Sequence, residues 1–175
     1  MQSLRNVVIN GAVIFALLFG LTLSATAAEP TFEEVKALQA FEEIKVLAEK
    51  GDSFYQAYLG SYYAQGRGVR QDNSKAFYWY QKSAKQGNDF GQVGIGFAYS
   101  LGKGVRQDDS KALEWFKKSA KQNNRTAQGY LGKIYENGKG VRQNKTTAKE
   151  WYGKACDNGF QLGCDNYKRL NEQGY

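Results

Sequence analysis

The chain of 175 residues contains no histidine. That absence removes the commonest general base and the commonest metal ligand together. Other chemistry-bearing patterns are missing as well. Gly-Lys-Gly occurs at Gly102 and at Gly138, but neither copy ends in Gly-Lys-Ser/Thr or follows a strand pattern, as a phosphate-cradling loop must. No Ser-x-x-Lys signature with the supporting motifs of a serine enzyme can be assembled, and serine directly precedes lysine at Ser74-Lys75 and Ser110-Lys111, a spacing set by the repeat. The adjacent carboxylates Glu33/Glu34 and Glu42/Glu43 read as the solvated side of a helix. No catalytic residue, metal site or cofactor is expected. There is no block of like charges either, although 24 Lys and Arg outnumber 17 Asp and Glu for a net charge of +7. Spread charge of this kind favours solubility and attraction to acidic surfaces. With no recognition motif beside it, nucleic acid is not an expected partner.

Long hydrophobic runs are scarce. The uncharged run Ala12 to Leu23 is shorter than the roughly 20 residues a spanning helix needs. Arg5 precedes it and the small-x-small triplet Ala25-Thr26-Ala27 follows, with Ala28 as the alternative end. Residues 1–28 therefore read as a secretory signal peptide. Its removal takes away Arg5 and no acid, which lowers the net charge from +7 to +6. No cysteine lies near the cleavage site, so a lipidated start is not expected. Export is expected, to the periplasm first and to the outside second. The two cysteines, Cys156 and Cys164, are an even count in an oxidising compartment. They read as one disulfide, with two buried thiols as the alternative.

What the chain does have is a turn written three times. Gly66-Arg67-Gly68-Val69-Arg70-Gln71-Asp72 recurs 36 residues later from Gly102 and again from Gly138. A period of this length predicts an all-α solenoid of antiparallel helix pairs, an elongated curved array with an extended groove. Asp52 is placed to cap a first helix running to about Gln65. Within that helix Leu59, Gly60 and Tyr63 recur as Ile95, Gly96 and Tyr99 and as Leu131, Gly132 and Tyr135. A mid-helix glycine costs about 1 kcal/mol relative to alanine. Its recurrence in one phase predicts helices approaching too closely for a Cβ. Gly66 ends the helix in the left-handed conformation, Val69 plugs the gap under the turn, and Asp72, Asp108 and Asn144 cap the second helices. Those helices carry Ala76, Trp79, Tyr80 and Ala84, then Ala112, Trp115, Phe116 and Ala120, then Ala148, Trp151, Tyr152 and Cys156. The tryptophan register reads as large-into-small packing in the core rather than as a ligand stripe. Gly87, Asn123 and Gly159 end these helices.

The single proline, Pro30, precedes an amphipathic segment opened by Thr31-Phe32-Glu33-Glu34, which fits a capping box. At the other end, Lys168 replaces the mid-helix glycine and Cys164 replaces the glutamine found at Gln56, Gln92 and Gln128. The expected domain, 29–172, thus comprises a half-repeat at 31–50, repeats at about 52–86, 88–122 and 124–158, and a capping helix at 160–170. Eight helices are expected.

The run from Ala84 through Gly87, Gln92, Ile95, Gly96, Tyr99, Gly102, Gly104, Val105, Asp108, Lys111, Ala112, Trp115 and Phe116 resembles the Sel1-like repeat, a relative of the tetratricopeptide repeat. Ala155 to Cys164 is similar to the cysteine-bearing joint of the secreted cysteine-rich Sel1-like proteins, in which such a pair is joined across the turn between helices. Those relatives carry a pair in most repeats, whereas this chain has one. The resemblance implies an exported adaptor or a host-interaction protein. A β-lactamase label carried by some members leaves hydrolysis as a remote reading. The tetratricopeptide analogy places the first helices on the concave face. The residues then pointing into the groove are Phe54, Ala57, Ser61 and Gln65, then Phe90, Val93, Phe97 and Leu101, then Thr126, Gly129, Lys133 and Asn137. An aromatic patch beside Lys133 suits a protein or an extended peptide as partner. The alternative is that these rings pack between neighbouring helices. A monomer is expected.

Overall fold

Asp52, Asn88 and Asn124 each stop a turn and start a helix. Their side-chain oxygens accept the otherwise orphaned amides of Phe54 and Tyr55, of Gly91, and of Ala127. Asp72, Asp108 and Asn144 do the same for Lys75, Lys111 and Thr147, each at 2.9 Å. The result, in a computed structural model that describes residues 31–175, is a run of helices without a strand among the described residues. They are α1 (Phe32–Glu49), α2 (Ser53–Gln65), α3 (Asn73–Lys85), α4 (Asp89–Leu101), α5 (Asp109–Ala120), α6 (Arg125–Asn137), α7 (Lys145–Asp157) and α8 (Gln161–Glu172). Glu33–Tyr175 forms a compact unit with cores of its own. The signal-peptide reading falls on residues outside the described ones.

Each repeat pairs a first helix (α2, α4, α6) with a second (α3, α5, α7). The turn between them needs glycine twice, for different reasons. Gly66, Gly102 and Gly138 end the first helices at φ 69°, 65° and 69°, where a Cβ is strained. Gly68 and Gly104 also have positive φ, and a Cβ there would stand 2.2 Å from the Ala37 carbonyl oxygen and 2.1 Å from that of Asn73. Gly140 meets the Asp109 backbone in the same way, at 2.6 Å. The second glycine thus lets each turn rest directly on the first half of the preceding second helix.

The mid-helix glycines explain the core. A Cβ on Gly60, Gly96 or Gly132 would meet the ring of Tyr80, Phe116 or Tyr152 at 2.7, 2.8 or 2.5 Å. One ring from each second helix lies flush on the backbone of its first helix, and Leu59, Ile95 and Leu131 are fully buried beside it. The tryptophans, expected as core, are instead half-buried. Adjacent side chains on a helix point about 100° apart. Since Tyr80, Phe116 and Tyr152 take the glycine, the residue before each falls on the rim. There, Lys82, Lys118 and Lys154 lie over Trp79, Trp115 and Trp151 at 4.9, 4.1 and 4.4 Å.

Successive repeats are joined by buried glutamines. Gln56, Gln92 and Gln128 donate to the carbonyls of Ala48, Gly87 and Ala120 at 3.1, 3.2 and 3.4 Å. Their own oxygens accept from Gln86, Gln122 and Asn158 of the following second helix at 2.8, 3.0 and 2.8 Å. Each amide therefore ties three helices together. Ser83 and Ser119, fully buried, add hydrogen bonds to the Ser53 and Asp89 carbonyls. At the joint before α8 the pattern changes: Cys156 and Cys164 form a disulfide with Cα atoms 4.5 Å apart. Phe160 replaces the capping residue, with no side-chain cap bond. Its ring covers Gly129 instead.

Candidate binding face

Helix α2 packs against α4, α4 meets α6 through the rings of Phe97 and Tyr130, and α6 touches α8. The solvent-exposed side of α2 and α4 carries Phe54, 41% exposed, and Phe90, 52% exposed. The two rings touch edge to face across the repeat boundary, with centroids 6.1 Å apart. Tyr58, 44% exposed, lies 4.7 Å from Phe54. Sequence reasoning missed Tyr58, although its place four residues after Phe54 puts both on one helix face. Leu162 is exposed in the register of Phe54 and Phe90, two repeats beyond the latter.

The remaining expected groove residues divide. Leu101 is exposed at the end of α4, and Lys133 and Asn137 are exposed on α6. The Lys133 ammonium stands 6.0 Å from the Tyr130 ring, and Asn137 donates to the Lys133 carbonyl. Ser61 is half-buried, accepts from Gln65 at 2.8 Å, and is hydrogen-bonded to Tyr80, whose hydroxyl pKa burial raises. Phe97 is half-buried, with its edge on Phe116 and Tyr130 at 5.3 and 4.5 Å, so it joins surface to core. Thr126 is half-buried. Val93 is a correction. It is buried in the core with Ala112, Leu113 and Phe116 of α5 and Ala127 and Leu131 of α6, because its position on α4 faces those helices and not the groove. Ala57 and Gly129, in the same register, are buried too. The exposed aromatic cluster is consequently Phe54, Tyr58 and Phe90, spread over two helices.

The far end of the face is polar. Arg169 grips both Glu136 oxygens at 2.7 and 2.9 Å, and the Tyr152 hydroxyl donates to the same carboxylate at 2.9 Å. Burial first, and the hydrogen bond to Glu136 second, push the Tyr152 pKa well above the usual tyrosine value, so it stays a donor. A recess of about 70 Å³ opens beside this network, lined by Gly129, Tyr130, Lys133, Tyr152, Phe160, Leu162 and Asn166. The signal for the network was in the repeat register. Glu136 aligns with Ala64 and Ser100, so its charge is an exception to be explained.

The model of the Sel1 repeat matches three segments, 53–88, 90–124 and 126–160. The chain belongs to the Sel1-repeat family. Solved structures agree in fold with this Sel1-repeat protein. It is 33% identical, with a TM-score of 0.73, to a protective antigen of uropathogenic Escherichia coli strains displaying an SLR fold, over 79% of this chain and 30% of that one. A Sel1 repeat protein from Oxalobacter formigenes is 28% identical at a TM-score of 0.72, over 79% and 55% of the two chains. Helicobacter pylori cysteine rich protein B is 25% identical at 0.59, over 79% and 98%. This Sel1-repeat chain thus spans about a third to a half of the first two structures and nearly all of the third. No curated protein matches it.

Proposed function

We propose that this Sel1-repeat protein is an exported scaffold that binds a protein or an extended peptide through its first-helix face. Phe54, Tyr58 and Phe90 are the anchors, and Ser61, Phe97, Leu101, Lys133 and Asn137 line the rest. The observation that carries the reading is the edge contact of Phe54 with Phe90. Two large rings from successive repeats lie on each other at the surface, where burial by a partner recovers their apolar area. The packing of α2 on α4 supports placing this face on the inside of the curve. Two tests apply. Cleavage after Ala27 or Ala28 is read by N-terminal sequencing of the exported protein. Crosslinking capture on wild type and on Phe54→Ala/Phe90→Ala reads the face. A partner lost in a variant of unchanged helicity and melting supports the assignment, and unchanged capture overturns it. A partner reading implies no turnover of a chromogenic β-lactam.

Likeness to a protective antigen favours a second reading, a host-facing factor of the same fold. Cell fractionation separates the two, since a host-facing factor leaves the cell envelope.

A further inference from the structure

The turns after the first helices carry two exposed cations each, against one acid in each of the first two turns and none in the third. Arg67 and Arg70, Lys103 and Arg106, and Lys139 and Arg142 are all exposed. Among the described residues no carboxylate lies within ion-pair distance of any of the six. The acids nearest in sequence are already engaged: Asp72 and Asp108 cap helices and pair with Lys75 and Lys111 at 3.8 and 3.4 Å. In the third turn the cap is the uncharged Asn144.

The backbone under these cations is fixed. Gln71, Gln107 and Gln143 tie each turn to the last carbonyls of its first helix at 2.9, 3.1 and 2.7 Å. The second glycine of each turn rests on the preceding second helix. Three cation pairs therefore stand in line, one repeat apart. The opposite edge mixes signs, with Lys50 beside Asp52, Lys85 beside Asp89, and Lys121 and Arg125 followed by Asp157.

From these observations we infer that the basic edge docks the solenoid peripherally on an anionic phospholipid surface. The tips form a ridge, which meets a flat surface along its length, whereas a linear polyanion is held in a groove. Arg70, Arg106 and Arg142 place a guanidinium in every repeat, and its fork matches phosphate oxygens. Among the described residues no helix is long and apolar enough to cross a membrane, in keeping with contact at the surface. Phe54 and Phe90 lie in the first turns of α2 and α4, at the other end of these helices from the basic turns. An edge on lipid leaves the aromatic face open.

The test is flotation of residues 29–175, which include the whole compact unit, with vesicles of phosphatidylcholine alone or mixed with phosphatidylglycerol. Binding is expected on the anionic vesicles only and is weakened by salt. The variant Arg70→Gln/Arg106→Gln/Arg142→Gln is expected to bind about a hundredfold less tightly. The control Lys50→Gln/Lys85→Gln/Lys121→Gln removes the same charge from the opposite edge and is expected to lose only a few-fold, about the share that net charge alone supplies. Equal losses in the two variants overturn the edge assignment. Undiminished binding of the arginine variant overturns it as well. Binding to a soluble acidic polysaccharide without binding to vesicles overturns the membrane reading and gives the edge to a soluble polyanion. All the substituted side chains are exposed, and matching thermal melts verify that folding is intact.

Discussion

The joint at Ala120 and Gln128 and the joint at Cys156 and Cys164 occupy the same place in successive repeats, yet they are closed by different means. Gln128 donates back to Ala120 and accepts from Asn158 of the next second helix. Such an amide is fully satisfied only when a following helix offers a donor. Buried, it costs free energy if either half is left unpaired. At α8 the setting differs. Lys168 stands where Gly60, Gly96 and Gly132 each receive a ring, and its side chain is 79% exposed. Among the described residues, no second helix lies beyond α8 to donate to a glutamine at position 164. A disulfide closes the joint between α7 and α8 without the help of a third helix. Glu136 adds a second tie, from α6 to Tyr152 on α7 and to Arg169 on α8.

The largest effect should come from opening the covalent joint. Cys156→Ser/Cys164→Ser removes a closure with a sequence separation of 8 and is expected to cost about 2–3 kcal/mol. Amide exchange should show the loss in α8 and the adjoining end of α7, with α2 unchanged. Equal deprotection of α2 would mean that the array unfolds as one unit. Next comes Gln92→Ala, which leaves the Gly87 carbonyl with one side-chain donor, Gln122, instead of two, and Gln122 with one acceptor instead of two. A loss of about 1–2 kcal/mol is expected in denaturant melts. A loss as large as that from the disulfide variant would erase the distinction drawn between the joints.

The comparison can also be run in reverse. Ala84→Cys/Gln92→Cys copies the covalent joint into the first repeat boundary. If the two places are equivalent, the bond forms without denaturant and melting rises, by about 0.5–2 kcal/mol. Failure to oxidise would show that the backbone at α8 differs. The smallest effect concerns acid. The Lys111 backbone amide, bonded to the Asp108 carboxylate, holds the Asp108 pKa below the usual aspartate range. A depressed carboxylate stabilises the fold above its unfolded value, and that contribution fades as pH falls through the folded one. Asn144 fills the same position in the third turn and does not titrate. Asp108→Asn is therefore expected to lessen the acid sensitivity of the α4–α5 turn, read by amide exchange at about pH 3 against about pH 7. An unaltered acid profile would remove the cap from the explanation.

Much of this was legible from residues alone. Gly60, Gly96 and Gly132 announced close approach, because a mid-helix glycine repeated in one phase has a cost that packing must offset. The caps at Asp52, Asp72, Asp108 and Asn144 were readable because a cap is local chemistry, complete within three residues. The binding face was less legible. Val93 and Phe97 share a face of α4 with Phe90 on paper, but α6 and α5 decide how deep each sits. The tryptophans misled for a related reason. Both members of Trp79-Tyr80 are large and amphipathic, and only the direction of the facing glycine selects which ring enters.

What the sequence by itself determined is the period, the helix ends and the pairing of each first helix with its second. These follow from caps, turn glycines and spacing, all acting within one repeat. Tertiary structure alone decided which rings remain in water, that Glu136 meets Arg169 and Tyr152, and that the six turn cations stand together on one edge. Those facts depend on the rotation and translation from one repeat to the next. They are set by many close contacts between helices distant in sequence, and no local pattern encodes their sum.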